Sequence, residues 1–178
     1  AVGFADGSFD SSGRWVEARV VVPSGAELLV VSAYIPTGGA GTPKQVHKMA
    51  FLGAMRERMR ALLQGDGLVS VMGDWNVGRD ERDIKNWRGN LKHSGFLPEE
   101  RELLAQIFGD GWVDVGRRFA GDVPGPYTWW SMRGHAFDTD AGWRSDYHAD
   151  SPALAALAAD YHVDRAPNWA ARWTDHTP

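Results

Sequence analysis

Two stretches near the start of the chain carry the pattern of paired strands. Residues 14–22 alternate, with Val16, Ala18, Val20 and Val22 on one face, and residues 27–35 form an apolar run. Pro23, Ser24, Gly25 and Ala26 lie between them and predict a turn, so the two stretches are expected to form a hairpin. The period then changes. Thr42 is a candidate cap, Pro43 a first helical residue and Gln45 the residue three after the cap. Val46, Met49, Leu52, Met55, Met59 and Leu62 recur every three or four residues, which predicts a helix to about Leu63 with that stripe buried. Lys48, Arg56, Arg58 and Arg60 are expected on its solvated faces. Gly65, Asp66 and Gly67 end the helix, and residues 68–72 read as a strand closed by Gly73. The order strand, strand, helix, strand predicts an α/β fold.

The second half is less regular. Residues 78–93 are polar and doubly charged, a long loop with room for a short helix. A helix is expected from Pro98, with Glu99, Glu100 and Glu102 near its positive end. Residues 112–115 form a short apolar piece. Residues 127–131 and 143–149 are expected to pair as strands, Ser151 to cap a short helix, and residues 161–163 to form a last strand. No internal repeat or linker-like shift in composition divides the 178 residues, so they are read as a single domain.

Composition narrows the classes. The chain has no cysteine, which removes disulfides, thiolate metal sites and a cysteine nucleophile, and is compatible with a reducing cytoplasm. No run is long and apolar enough to cross a membrane as a helix. The formal charge of −4 gives no global signal for nucleic acid, although a local basic groove can sit on an acidic protein. Nine tryptophans are many for this length, but they serve packing and base stacking equally and decide nothing alone.

Candidate chemistry begins at Asp74-Trp75-Asn76, just past the strand of residues 68–72. In an extended chain Asp74 and Asn76 share one side and Trp75 takes the other. A carboxylate can accept a proton from water or take a hard metal ion, and a carboxamide can donate to an oxyanion without repelling it. The pair suits phosphoryl chemistry; an Asx-rich turn after a buried strand explains the same residues. Asp146 stands out because Asp is disfavoured within a strand and a buried carboxylate needs a partner, for which a histidine is apt. The absence of HExxH and of Cys/His ligand spacing argues against zinc.

Seven blocks, SAYIPTGG, VMGDWNVGRDERDIKN, NLKHSGFLPEERE, GWVDVGRR, GPYTWW, GWRSDYH and TDHTP, run in order over nearly the whole chain. Together they resemble the endonuclease/exonuclease/phosphatase superfamily, and within it the bacterial exonuclease III and abasic-site endonuclease group. The resemblance implies a DNase I-like α/β fold of two stacked mixed sheets flanked by helices. It implies a metal-dependent hydrolase, with Mg²⁺ or Mn²⁺, that attacks phosphodiesters of duplex DNA at abasic sites or 3′ ends. The protein is expected to act as a monomer in base-excision repair in the bacterial cytoplasm. Residue by residue, Asp74 is implied as general base, Asn76 as its positioner and a phosphate contact, and Tyr34 as a group on the phosphate or leaving oxygen. His176 would donate to a non-bridging oxygen, oriented by Asp146. Asp175, with Asp74, Asn76 and His176, would hold the metal. Arg14 would position DNA, and Trp129, Trp143 and Ser145 would line the pocket for an extruded sugar.

Three departures accompany the resemblance. Ser145 stands where relatives carry an aliphatic residue, making the pocket less apolar. Trp75 is bulkier than usual and is read as packing. The family's opening Asn strand, its metal-ligating Glu and its final strand are not matched, so the domain is expected to be incomplete at the N-terminus and to lack the last strand. Such a chain is expected to bind Mg²⁺ weakly. The alternatives are a catalytically impaired nucleic-acid-binding fragment, or a phosphatase or nonspecific DNase of the same superfamily.

Overall fold

The apolar segments assemble into one mixed sheet whose strand ends carry the polar residues singled out above. The computed structural model describes residues 2–4 and 6–178. The strands are β1 (Trp15–Val21), β2 (Glu27–Ala33), β3 (Leu68–Asp74), β4 (Val113–Asp114) and β5 (Asp146–Asp150), in the spatial order β1-β2-β3-β5-β4. The expected hairpin is present, with Trp15 opposite Ala33 and Val21 opposite Glu27. β2 and β3 are parallel, joined by α1 (Pro43–Leu62) as the crossover, and β5 runs antiparallel to both β3 and β4. The remaining helices are α2 (Trp87–Asn90), α3 (Pro98–Gly109), α4 (Val115–Ala120) and α5 (Pro152–Ala155).

The core lies between one face of the sheet and helices α1 and α3. Trp15, Val31, Val71, Tyr147 and Ala149 from the strands meet Phe51, Leu52, Met55 and Met59 of α1 and Leu104 and Ile107 of α3, all fully buried. At about 25 cal/mol per Å² of apolar surface, this interface is the main source of stability. Burial corrects the first hairpin: Val16, Ala18 and Val20 face outward and are exposed, while Trp15 and the half-buried Glu17 turn inward. Glu17 is held there by a bidentate pair with Arg58 and by the Trp15 indole, at 2.7 to 2.9 Å. Among the described residues no second sheet covers the outward face. The opposite layer of the expected sandwich is represented by isolated bridges that join Trp129 to Trp143 and His176, and Ile84 to Trp143.

Several local expectations differ: the strand expected over 143–149 begins at Asp146, and the Thr42 and Ser151 side chains make no cap hydrogen bond. Val46 is exposed, and the buried stripe of α1 begins instead with Gln45 and Lys48, which lie in phase with Phe51, Leu52, Met55 and Met59. Residues 127–131 make only isolated bridges, from Trp129 to Trp143 and to His176, rather than a strand, because Thr128 and Trp130 spend backbone donors on Trp143 and Asp175. Residues 161–163 are irregular: the Tyr161 ring packs on Gly116 and edge-on to His148.

A carboxylate pair bridged by histidine at a strand end

Register creates the site. β3 and β5 pair so that Asp74 lies directly opposite Asp146, two carboxylates brought side by side from distant parts of the chain. Like charges in cross-strand positions repel. Burial raises the pKa of Asp74, and the charge of Asp146 adds to the rise. The repulsion is relieved by His176, whose Nδ1 lies 3.0 and 3.1 Å from the two Asp146 oxygens and whose Nε2 lies 3.8 Å from Asp74 Oδ2. The Asp146 hydrogen bond raises the pKa of His176 above its ordinary value against the opposing effect of burial, and Asp146, Asp74 and Asp175 add to the rise through their charges. The imidazole is thus oriented by Asp146 through Nδ1, with Nε2 turned to Asp74.

The peptide segments that deliver these groups are tightly held. Gly73 has φ 134°, and a Cβ there would meet the Ala33 carbonyl oxygen at 2.2 Å, so only glycine lets β2 and β3 converge at this end. One residue on, the Asp74 carbonyl accepts from Ile35 N at 2.9 Å. Asn76 is left-handed, with φ 51°, a conformation Asn tolerates better than most residues. Its backbone N donates to Asp74 Oδ1, and its side-chain Nδ2 to Asp74 Oδ2 and Ile35 O, each at 2.9 Å. One side-chain amide proton of Asn76 therefore aims Asp74, and the other anchors the carboxamide on Ile35. Asp146 is fixed from behind by Thr128 Oγ1 at 2.6 Å and by Ser145 Oγ at 3.3 Å.

His176 arrives on the segment after the short 3₁₀ turn Trp169–Ala171, which runs beside residues 128–130. Trp130 N donates to Asp175 O, and Thr177 N to Thr128 O. Beside the histidine opens a cleft of about 210 Å³ lined by Trp129, Trp143, Ser145, His176, Asn76 and Lys48. The two tryptophan rings meet edge to face at 6.2 Å. Ser145 is buried and its hydroxyl is satisfied by the Asp146 carboxylate. Trp75 points into the core and stacks on Tyr147 at 4.9 Å, as packing.

Not every expected residue converges. Asp74, Asn76, Asp146 and His176 meet, with Trp129, Trp143 and Ser145 in the adjoining cleft wall. Tyr34 and Arg14 sit at the neighbouring ends of β2 and β1 and pair with each other, the guanidinium 4.6 Å from the ring. Asp175 turns away: its carboxylate accepts from Trp129 Nε1 at 2.9 Å and Thr174 Oγ1 at 3.0 Å. Burial opposes its ionisation, but these hydrogen bonds hold its pKa below the usual value. Among the described residues the groups within ligand distance of one another are Asp74, Asp146 and His176. Asp74 with the Asn76 carbonyl oxygen offers hard oxygen donors suited to Mg²⁺, which keeps several waters and needs only one or two carboxylates.

Sequence reasoning missed Lys48, expected on the surface and found 1% exposed at the back of the cleft. Its phase was the signal, since it continues the buried stripe of α1 toward the N-terminus.

Known proteins share this arrangement of elements. The profile described as the Endonuclease/Exonuclease/phosphatase family matches residues 3–176. The chain is 32% identical over 147 residues to an exodeoxyribonuclease of Bacillus subtilis, covering 83% of this chain and 58% of that protein. It is 32% identical over 162 residues to the DNA repair nuclease APEX1 of Danio rerio, covering 91% and 51%. The chain thus spans about half the length of these curated relatives. Among solved structures, the 3′ phosphatase NExo from Neisseria bound to a product DNA hairpin superposes with a TM-score of 0.86 at 26% identity, covering 99% of this chain and 67% of that one. An AP endonuclease from Archaeoglobus fulgidus gives a TM-score of 0.86 at 23% identity over the same shares, a likeness of fold.

Proposed function

The chain belongs to the endonuclease/exonuclease/phosphatase family, and from that premise we propose that it hydrolyses phosphodiesters of duplex DNA at abasic sites and 3′ ends in base-excision repair. The observation that supports this most directly is the Asp74–Asp146 pair bridged by His176 beside a cleft walled by two tryptophans. Two bacterial and vertebrate relatives carry the names of DNA nucleases. The proposal places the protein in the bacterial cytoplasm as a monomer.

In this reading Asp74 takes the proton of the attacking water. Its pKa, raised by burial and by the charge of Asp146, makes it a stronger base than an exposed aspartate. His176, whose cationic form Asp146 favours, donates from Nε2 to a non-bridging phosphate oxygen as negative charge grows there. Asn76 aims Asp74 and presents its side-chain carbonyl oxygen, Oδ1, while its backbone carbonyl accepts from Lys48. A divalent ion, Mg²⁺ or Mn²⁺, would be held by Asp74 and the Asn76 side-chain oxygen beside His176 and would supply charge neutralisation at the phosphate, and Asp175 would join only by leaving the Trp129 indole. The P–O bond to the 3′ oxygen breaks, and Tyr34 on the rim offers a phenol to the phosphate or the leaving oxygen. Arg14 steadies the backbone of the DNA, and Trp129, Trp143 and Ser145 receive the sugar beyond the scissile bond.

Duplex DNA with one abasic site, incubated with excess protein and Mg²⁺, tests the proposal in a single turnover. Incision should stop with EDTA, and Asp74→Ala should slow it roughly 10²- to 10⁴-fold. Incision that survives EDTA removes the metal from the mechanism, and incision that survives Asp74→Ala removes Asp74. A 3′-phosphate terminus, run in parallel with the wild-type chain and with Ser145→Ala, decides whether the hydroxyl of Ser145 in the cleft wall broadens the substrate toward phosphomonoesters.

A further inference from the structure

Behind the cleft lies a buried ion pair that the mechanism above does not use. Lys48 of α1 and Glu100 of α3 are 1% and 0% exposed, and their charged atoms are 2.8 Å apart. Burying two charges costs more than the pair returns unless every remaining donor and acceptor is satisfied. Here they are. Glu100 Oε1 accepts from Gln45 Nε2, Lys48 Nζ and Ser94 Oγ, and Oε2 from the backbone N of Gly95 and Leu97. Lys48 Nζ has three protons and three acceptors: Glu100 Oε1, Ser94 Oγ at 3.5 Å, and the carbonyl oxygen of Asn76 at 2.8 Å.

The last contact matters, because Asn76 occupies a left-handed conformation that its surroundings must hold. Its amide N and side chain are fixed by Asp74 and Ile35, and its carbonyl by Lys48. The same carboxylate fixes the other wall of the cleft. Gly95, bound through its N to Glu100, passes so close to Trp143 and Asn76 that a Cβ would lie 2.8 Å from the ring and 3.2 Å from the Asn76 carbonyl oxygen. The ammonium is saturated and sealed from solvent, so it does not touch substrate itself.

We propose that Lys48, seated on Glu100, is a positioning residue that locks the Asn76 backbone and through it the aim of the Asn76 side chain on Asp74. The kinetic part of its test rests on the proposed nuclease activity; the structural part does not. Loss of the lock displaces Asn76 by a fraction of its hydrogen-bond reach, and misplacement of about 1 Å costs roughly 100-fold in rate.

Single-turnover cleavage by the full 178-residue chain is compared for Lys48→Met, Lys48→Arg, Asn76→Ala and the double variant Lys48→Met/Asn76→Ala. Lys48→Met should lose roughly 100-fold in the saturated rate with the half-saturating DNA concentration unchanged. Lys48→Arg, which keeps a cation beside Glu100, should recover part of the loss. On the Asn76→Ala background Lys48→Met should cost nothing more, because the group it aims is gone. The same 100-fold loss on both backgrounds overturns the proposal and makes Lys48 a plain structural residue. Independently of catalysis, the side-chain amide resonances of Asn76, assigned by their loss in Asn76→Ala, should shift and exchange faster in Lys48→Met. Unchanged resonances overturn it as well. If Lys48→Met does not fold, Lys48→Arg carries the resonance comparison. If the wild-type chain cleaves nothing, the nuclease assignment falls and the resonances still decide the role of Lys48.

Discussion

His176 takes its properties from Asp146 more than from its own burial. With its pKa raised above the usual value of about 6.5, the imidazolium persists into the pH range where a free histidine is neutral. The sign follows directly. The folded state binds this proton more tightly than the unfolded chain, so the pair's contribution to stability is complete below about pH 6.5 and is lost as pH rises through the folded pKa. Asp146→Asn removes the charge and leaves at most a weaker, neutral hydrogen bond to Nδ1, so the ring should titrate at lower pH, and the alkaline limb of the cleavage profile should move to lower pH with it. Titration of the His176 ring by NMR in the two proteins checks the first, and the pH–rate profile the second. An unmoved alkaline limb would assign that limb to another group.

At the residue scale the motif residues were legible and their orientations were not. GDWN and TDHTP mark Asp74, Asn76 and His176 by type and order. Nothing local shows that Asp175 turns to the Trp129 indole, because that contact joins two loops distant in sequence. Lys48 was misjudged because a lysine is ordinarily solvated, and the glutamate that reverses this lies on another helix.

Elements are tied together by a second buried charge network. Arg144 bonds Asp83 and Asp114, and Asp83 also takes Arg117 Nη2 at 2.6 Å and the backbone N of Arg79. The 3₁₀ turn Glu81–Asp83, helix α4 and the entry to β5 thus share one set of charges. Asp83→Ala leaves Arg144 buried with half its partners and should destabilise the protein by about 3–5 kcal/mol, read by urea unfolding. Gly73→Ala acts through the backbone instead. Its φ and the Ala33 oxygen leave no room for a methyl, so about 1–3 kcal/mol of strain should appear. That corresponds to a fall in melting temperature of roughly 2–12 °C for a chain of this size. The hydrophobic period revealed α1, β2 and β3 because each buries one continuous face. It failed for residues 127–131, where backbone donors go to loops, and for β1, whose alternating valines face out while a paired glutamate faces in.

For the whole molecule, charge sets the expectations. A chain of net charge −4 can hold DNA only through a few cations placed at the cleft, so binding should weaken with salt by a logarithmic slope of about −0.9 per phosphate contacted. Arg14, half-buried against the exposed Tyr34 ring, is one such cation. Arg14→Ala should reduce the magnitude of that slope by about one while lowering affinity evenly across DNA sequences. Fluorescence anisotropy with a labelled abasic duplex, over a range of salt, measures both, and an unchanged slope places Arg14 off the phosphate path. The α/β class was readable from element order, whereas the meeting of Asp74 with Asp146 depends on a strand pairing that no local pattern encodes.

That pairing has a consequence for misfolded forms of the protein. Side chains alternate along β5, so a shift of its partner by a single residue sends Asp146 to the helix side and sets Ser145 or Tyr147 against Asp74. A molecule misaligned in this way keeps five strands and nearly all of its ladder, yet holds no imidazole over its aspartate. Specific activity is therefore a gauge of alignment, able to distinguish two populations that circular dichroism reports as the same.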